Sequence, residues 1–126
     1  MLGALLMLAL AAVIIPQYSD YIARSETSVV LVLLEPVQRA IAADAVKQKS
    51  FAGMAKHLAN PALIADRLTG MLTVFEVSDA GVITAKGGRD GQMIVLSPSL
   101  LDGKIQWRCI GAPDHDMPAR CKGGRP

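Results

Sequence analysis

The chain has 126 residues, with 13 Lys and Arg against 11 Asp and Glu, a formal net charge of +2 and an apolar fraction of 52%. This length supports one folded domain and excludes a second. The apolar fraction would suit a membrane protein, but residues 1–19 contain no charge and the later residues mix both signs evenly. The N-terminal segment accounts for the high apolar fraction, and the remainder of the chain is typical of a soluble domain.

Residues 1–15 form an uncharged apolar run. About 20 apolar residues are typical of a membrane-spanning helix, so the run lies near the short limit. A secretory signal peptide is a second interpretation, although no basic residue precedes the run. A buried helix of the domain is a third, but the run has no polar face. Because a polar, helix-compatible segment continues toward Lys49, we favour the apolar half of one long helix.

From Gln17 to Lys49, small and apolar residues recur in steps of three and four, which predicts an amphipathic helix. Its predicted apolar face comprises Tyr21, Ile22, Val29, Leu33, Val37, Ile41 and Ala45, and its predicted solvated face comprises Asp20, Arg24, Glu26, Arg39, Lys47 and Lys49. The six apolar residues 29–34 would also suit a strand, but their neighbours favour helix. Pro16 and Pro36 each lack an amide donor and are expected to kink or open the helix locally.

Residues 50–70 contain Gly53, Asn60-Pro61 and Gly70, which predicts an irregular connector with one or two helical turns. Four strands are predicted after it, at 71–77, 82–85, 92–96 and 104–110, with turns at 78–81, 87–91 and 98–103. Short consecutive strands with tight turns predict an antiparallel meander on the apolar face of the helix. The predicted fold class is therefore α+β.

The string Pro16-Gln17-Tyr18-x-x-Tyr21-x-x-Arg24-Ser25, placed after an apolar run, resembles the N-terminal helix of type IV pilins. Residues 82–85, 94–98 and 105–109, together with 118–121, resemble the sheet and C-terminal disulfide loop of pilins with short leaders. The likeness covers residues 4–121 and is weak from 46 to 70. It implies the pilin fold, with residues 1–20 as the transmembrane and filament-core half of the helix. Residues 21–126 would form the head, with a connector at 50–70, a sheet at 71–110 and a disulfide loop at 109–121.

The resemblance implies a structural subunit of a type IV pilus, held in the bacterial inner membrane before assembly and then packed into an extracellular filament. Its partners would be other pilin subunits, the membrane and a host surface or DNA, and its roles adhesion, twitching motility and DNA uptake. The helix residues expected to pack in the membrane and filament are Leu5, Leu6, Leu8, Leu10, Val13, Ile14, Ile15 and Pro16.

Pilins are made with a short basic leader that ends in glycine, and the mature chain opens with an aromatic residue followed closely by a glutamate. Counted back from Pro16, these positions would fall before Met1. The resemblance therefore predicts that the coding start is placed late or that an upstream piece was removed. The assembly machinery and the prepilin peptidase are expected partners if such a leader exists.

Cys109 and Cys121 have eleven residues between them. In a cytosolic protein they would be reduced, whereas in an exported chain, as the resemblance implies, we expect them to form a disulfide. A metal site is the alternative, but two cysteines without a neighbouring pair of Cys or His provide too few ligands. His115, flanked by Asp114 and Asp116, leaves a weak exposed cation site open. We predict neither a metal nor a cofactor.

Neither His57 nor His115 lies near a nucleophile pattern, so we predict no catalytic residue and no enzyme activity. The glycines at 87, 88 and 91 lie between strands, which indicates turns and not a phosphate-binding loop. Trp107 would suit an exposed aromatic for adhesion or base stacking, but strand alternation places it on the same face as Cys109, which favours a core tryptophan that covers the disulfide.

Residues 80–126 contain seven basic and four acidic residues, a net charge of +3, whereas residues 1–79 contain six and seven, a net charge of −1. A basic edge of this kind would bind the phosphates of DNA, an activity of certain minor pilins. The candidate DNA-binding residues are Lys104, Arg108, Arg120, Lys122 and Arg125. An ordinary solvated surface is the alternative and is favoured by the scarcity of aromatic residues.

A secreted soluble domain behind a signal peptide is the remaining alternative for the whole chain.

Overall fold

The computed structural model describes the backbone of residues 2–122 and the side chains of residues 18–61 and 63–122. A long helix and a four-stranded antiparallel sheet make up the fold, which confirms the α+β class. The elements are α1 (Leu2–Gln48), 3-10 turns at Met54–Ala59 and Pro61–Leu63, α2 (Asp66–Met71), β1 (Leu72–Val77), β2 (Ile83–Gly87), β3 (Gln92–Leu101), β4 (Lys104–Ala112), and 3-10 turns at Asp114–Asp116 and Ala119–Cys121.

The strands lie in the order β1-β2-β3-β4, and each pairs antiparallel with the next. The predicted meander is therefore confirmed. Tight turns join β1 to β2 and β2 to β3, and positive φ angles at Gly81, Gly88 and Gly91 allow them. Gly87, which was predicted to be a turn residue, is the last residue of β2.

The turn predicted at residues 98–103 is wrong, because β3 continues to Leu101 and pairs with β4 up to Leu101↔Lys104. Only Asp102 and Gly103, both with positive φ, form the connection. Proline fits within β3 because the pairing with β2 ends at Ile83↔Leu96. Beyond Leu96 the strand has β4 as its one neighbour, and a proline at such an edge need not interrupt the sheet.

The helix α1 buries one face against the sheet. Its buried residues are Ala23, Thr27, Val30, Leu31, Leu34, Val37, Ile41 and Ala45. The predicted face is confirmed at Val37, Ile41 and Ala45 and wrong at Tyr21, which is 60% exposed. Four residues correspond to a rotation of about 400° around an α-helix. Side chains spaced four residues apart therefore shift around the helix by about 40° at each step. From Ala23 to Ile41 the buried face avoids this drift, because steps of four alternate there with steps of three.

The C-terminal end of α1 lies one residue before the predicted Lys49. Lys49 itself has a φ of 59°, and the amide of Ser50 donates a hydrogen bond to the carbonyl of Ala45 at 3.2 Å. A left-handed residue with this hydrogen bond is a common way to end a helix. The helix α1 continues through Pro36 without interruption.

Candidate functional site

The disulfide between Cys109 and Cys121 is present, with Cα atoms 4.7 Å apart, which confirms the predicted pairing. It closes residues 109–121, here called the disulfide loop, against the free edge of β4. A Cβ at Gly111 would overlap the side chain of the buried Met117, so a larger residue there would force Met117 to move. After the loop, Lys122 forms a parallel bridge with Gly111.

A groove of about 820 Å³ lies between the β4 edge and the disulfide loop. Its lining consists of Ser99, Gln106, Trp107, Arg108, Cys109, Ala119, Arg120 and Lys122. Three of the five predicted DNA-binding residues, Arg108, Arg120 and Lys122, therefore lie on one surface. Lys104 does not line the groove, and Arg125 lies outside the described residues.

Trp107 lies on the inner face of β4 together with Ile105 and Cys109, as the alternation predicted. It packs against the core but is only half-buried, because its ring also lines the groove. A half-exposed tryptophan beside three basic side chains offers a flat apolar surface next to positive charge. Such a surface can contact an aromatic or an anionic group.

The face of α1 that points away from the sheet has apolar residues in its N-terminal part. Tyr18, Tyr21 and Val32 are 64%, 60% and 60% exposed, and Ser25 and Ser28 lie between them at helical spacing. We call residues 18, 21, 25, 28 and 32 the outer stripe of α1. Large apolar side chains aligned on one exposed face are typical of an interaction surface.

Polar contacts hold the same part of α1 to the turn between β2 and β3. The Arg89 Nε donates to Glu26 Oε1 at 2.8 Å, and the Arg89 amide donates to Glu26 Oε2 at 3.1 Å. Gln92 is buried, and its Nε2 donates to the carbonyl of Ala23 at 3.1 Å. Glu26 was predicted to be solvated, but it is half-buried because this ion pair covers it.

One turn further toward the N-terminus of α1, Asp20 meets the disulfide loop. The His115 Nε2 lies 3.8 Å from Asp20 Oδ1 and 3.3 Å from Asp116 Oδ1. One donor atom from each of Asp20, His115 and Asp116 lies within 4.8 Å of the others, and we call these three residues the acidic cluster. We predicted no metal, and the cation site left open at His115 was expected to be exposed. The His115 side chain is 57% exposed, but Asp116 is fully buried.

Burial raises the pKa of Asp116 to about 6, and the neighbouring Asp90 carboxylate adds to the effect. The nearby His115 acts in the opposite direction. Among the described residues, neither carboxylate oxygen of Asp116 has a hydrogen-bond partner. A buried carboxylate that faces another carboxylate and has the His115 imidazole as its basic neighbour is unfavourable as an anion.

A second carboxylate–imidazole contact lies near the C-terminal end of α1. The Asp44 Oδ2 is 2.8 Å from the His57 Nε2 and 3.0 Å from the Lys56 Nζ. The hydrogen bond with Lys56 is the largest influence that lowers the pKa of Asp44. Asp44 therefore pairs with a lysine, whereas the basic group beside Asp116 is the imidazole of His115. These contacts attach the 3-10 turn at Met54–Ala59 to the helix.

No protein-family model matches the chain, and no curated protein matches it. In the part of the chain whose side chains are described, no helix is both long and apolar enough to cross a membrane. The predicted membrane and filament residues Leu5 to Pro16 lie outside those described side chains. Their role therefore stays a prediction, as does the absence of enzyme activity.

Proposed function

We propose that this chain is a subunit of a pilin-like filament, anchored in the bacterial inner membrane before assembly and exported as part of the filament. The observation that carries the proposal is the two-faced helix α1, which packs one face on the sheet while its outer stripe stays exposed. The order of helix, meander and C-terminal disulfide loop is compatible with the pilin fold. The string from Pro16 to Ser25 adds a sequence resemblance to that geometry.

The outer stripe supports helix packing between copies of this chain. Tyr18 and Tyr21 lie three and six residues beyond the uncharged run 1–15, so the exposed apolar side chains of the described helix begin close to the end of that run. Apolar side chains gain roughly 25 cal/mol for each Å² that is removed from water. Neighbouring helices in a filament would cover this face, while the sheet and the disulfide loop would form the outer surface.

The experiment replaces the chromosomal copy, in the cells that make the protein, with a Val32→Lys variant. Val32 is 60% exposed, so the subunit should fold, but an ammonium buried among apolar groups in a filament would be costly. We expect the sheared surface filament to fall by roughly tenfold or more, with an unchanged amount of protein in the membrane.

Leu101→Lys is the matched control, because Leu101 is 54% exposed and lies at the end of β3, away from the stripe. Its filament yield should equal that of the unmodified protein. Absence of the unmodified protein from sheared surface material, or equal yields from the two variants, would contradict the proposal.

The alternative is a minor pilin that binds DNA, and the convergence of Arg108, Arg120 and Lys122 on one groove favours it. Duplex DNA binding by the purified chain should then weaken steeply as salt rises. Reversing Arg108 and Lys122 to Glu should abolish binding, whereas Lys47→Glu, at an exposed position near the end of α1, should retain it. Binding that does not respond to the groove variants would exclude the groove as a DNA site.

A further inference from the structure

Three segments that are distant in sequence bring oxygen and nitrogen donors together at the acidic cluster. Asp20 comes from α1, and His115 and Asp116 come from the 3-10 turn after β4. Asp90, from the turn between β2 and β3, places a further carboxylate next to Asp116. Like charges gathered in this way repel each other unless a cation lies between them.

The independent sign of a ligand is Asp116 itself. Its side chain is fully buried, and both of its carboxylate oxygens lack a hydrogen-bond partner within the described part of the chain. The groups that face it are the carboxylates of Asp90 and Asp20 and the imidazole of His115. Buried charged groups in proteins are normally paired or bind a metal, and in this cluster His115 is the one basic side chain near Asp116.

We propose that Asp20, His115 and Asp116 bind one divalent transition-metal ion, for which Zn²⁺ is the probe. In a tetrahedral zinc site with bonds of about 2.1 Å, two ligand atoms lie roughly 3.4 Å apart. The distances from the His115 Nε2 to the two carboxylates, 3.3 and 3.8 Å, are close to this separation. The ligand atoms of Asp20 and Asp116 lie within 4.8 Å of each other, so the Asp20 side chain would rotate toward the buried Asp116 when the ion binds.

The donor set selects the class of ion. Calcium and magnesium prefer ligands that are all oxygen, whereas an imidazole together with carboxylates suits zinc and similar ions. His115 is 57% exposed on its side chain, so solvent can reach the ion and provide the fourth ligand. Bound there, the ion would tie the N-terminal part of α1 to the disulfide loop, a linkage that goes beyond the proposed filament role.

The experiment uses the full chain, purified in detergent and stripped with a chelator that is then removed. Isothermal titration with Zn²⁺ should show one ion per chain. At a free Zn²⁺ concentration about one hundred times the dissociation constant, the thermal midpoint should rise by on the order of 10 °C. Calcium at the same concentration should leave the midpoint unchanged.

Asp116→Asn and His115→Gln should each abolish the shift. In chelator, Asp116→Asn should be at least as stable as the unmodified chain, because it removes a buried charge that faces the carboxylates of Asp90 and Asp20, so a lost shift cannot be attributed to misfolding. Asp44→Asn is the matched control and should keep the full shift, since Asp44 contacts a histidine together with Lys56.

Absence of a Zn²⁺ shift in the unmodified chain, or a full shift in Asp116→Asn, would overturn the site. A shift with Ca²⁺ and none with Zn²⁺ would overturn the assignment to a transition-metal ion. Loss of the shift in Asp44→Asn as well would also count against the acidic cluster, because it would place the ion elsewhere.

Discussion

The two described parts of α1 attach to the rest of the head by different chemistry. Residues 30–45 bury apolar side chains such as Leu34 and Ile41, both fully inaccessible to solvent, against the sheet. Residues 18–27 are held mainly by polar contacts, in which Glu26 pairs with Arg89 and Ala23 accepts a hydrogen bond from Gln92. One continuous helix therefore has an apolar attachment in one part and a polar attachment in the other.

This contrast indicates which part of α1 separates most easily from the rest of the domain. A fully buried aliphatic side chain contributes about 1.5–3 kcal/mol, whereas a typical hydrogen bond contributes roughly 0.5–1.5 kcal/mol net. The polar part is also the part that precedes the apolar core and continues toward the N-terminal run. We expect residues 18–27 to loosen before residues 30–45 when the protein is stressed.

The largest loss of stability is expected for substitutions in the apolar part of α1, residues 30–45. Ile41→Ala removes a fully buried side chain and leaves a cavity, so the free energy of unfolding should fall by about 2–5 kcal/mol in a urea titration. Val46→Ala, at a residue that is 50% exposed on the same helix, should change it by less than about 0.5 kcal/mol. A small loss at Ile41 would mean that the apolar attachment is weaker than the burial indicates.

Loss of the disulfide should affect mainly the polar part. The double change of Cys109 and Cys121 to Ser should lower the free energy of unfolding by about 3 kcal/mol, because the open loop gains freedom in the unfolded chain. Hydrogen exchange should then increase at residues 18–27, which contact the loop through Asp20 and His115, more than at residues 34–45. Equal increases in both parts would contradict the division of α1.

Gln92 provides a test of the hydrogen bonds alone. Its Oε1 accepts from the Asp90 amide at 2.9 Å, and its Nε2 donates to the Ala23 carbonyl. Gln92→Leu keeps most of the volume and removes the acceptor of the Asp90 amide, whereas the Ala23 carbonyl keeps the hydrogen bond from Thr27 Oγ1 at 3.1 Å, so the free energy of unfolding should fall by about 0.5–1.5 kcal/mol. Gln106→Leu, at an exposed position of β4, is the matched control and should be nearly neutral.

The smallest effect is expected for the Glu26–Arg89 ion pair. Its side chains are 26% and 41% exposed, so a double-mutant cycle should give a coupling of roughly 0.5–1 kcal/mol that decreases as salt rises. The Glu35–Arg39 pair, at 3.8 Å and more exposed, should give almost none. A coupling that is insensitive to salt would show that the pair is better shielded than its exposure suggests.

Local patterns were enough to predict much of this fold. The four strands, their antiparallel order and the turns at Gly81, Gly88 and Gly91 follow from alternation and from residues that tolerate positive φ. The pairing of Cys109 with Cys121 also follows once the chain is taken to be exported, since two cysteines allow one pairing. These features depend on neighbouring residues, which is the information that a sequence displays directly.

Other features of the fold were decided by tertiary packing. The apolar run 29–34 extends over several faces of α1, and packing against the sheet buries Val30, Leu31 and Leu34. The extension of β3 through Pro98 depends on β2 beginning only at Ile83, opposite Leu96, which no signal within β3 reveals. In both cases the burial or strand assignment of a residue depends on which distant segment packs or pairs with it.

The order of apolar, polar and turn residues was enough to predict an α+β chain with a long helix and a meander, whereas the closed C-terminal loop was predicted from the resemblance to exported pilins. The tertiary structure alone decided that Asp20, Asp90, His115 and Asp116 meet, and that Asp116 is buried without a hydrogen-bond partner among the described residues. The physical reason is that helix and strand periodicity arise from neighbours in the chain, whereas burial and charge clustering arise from segments that folding brings together.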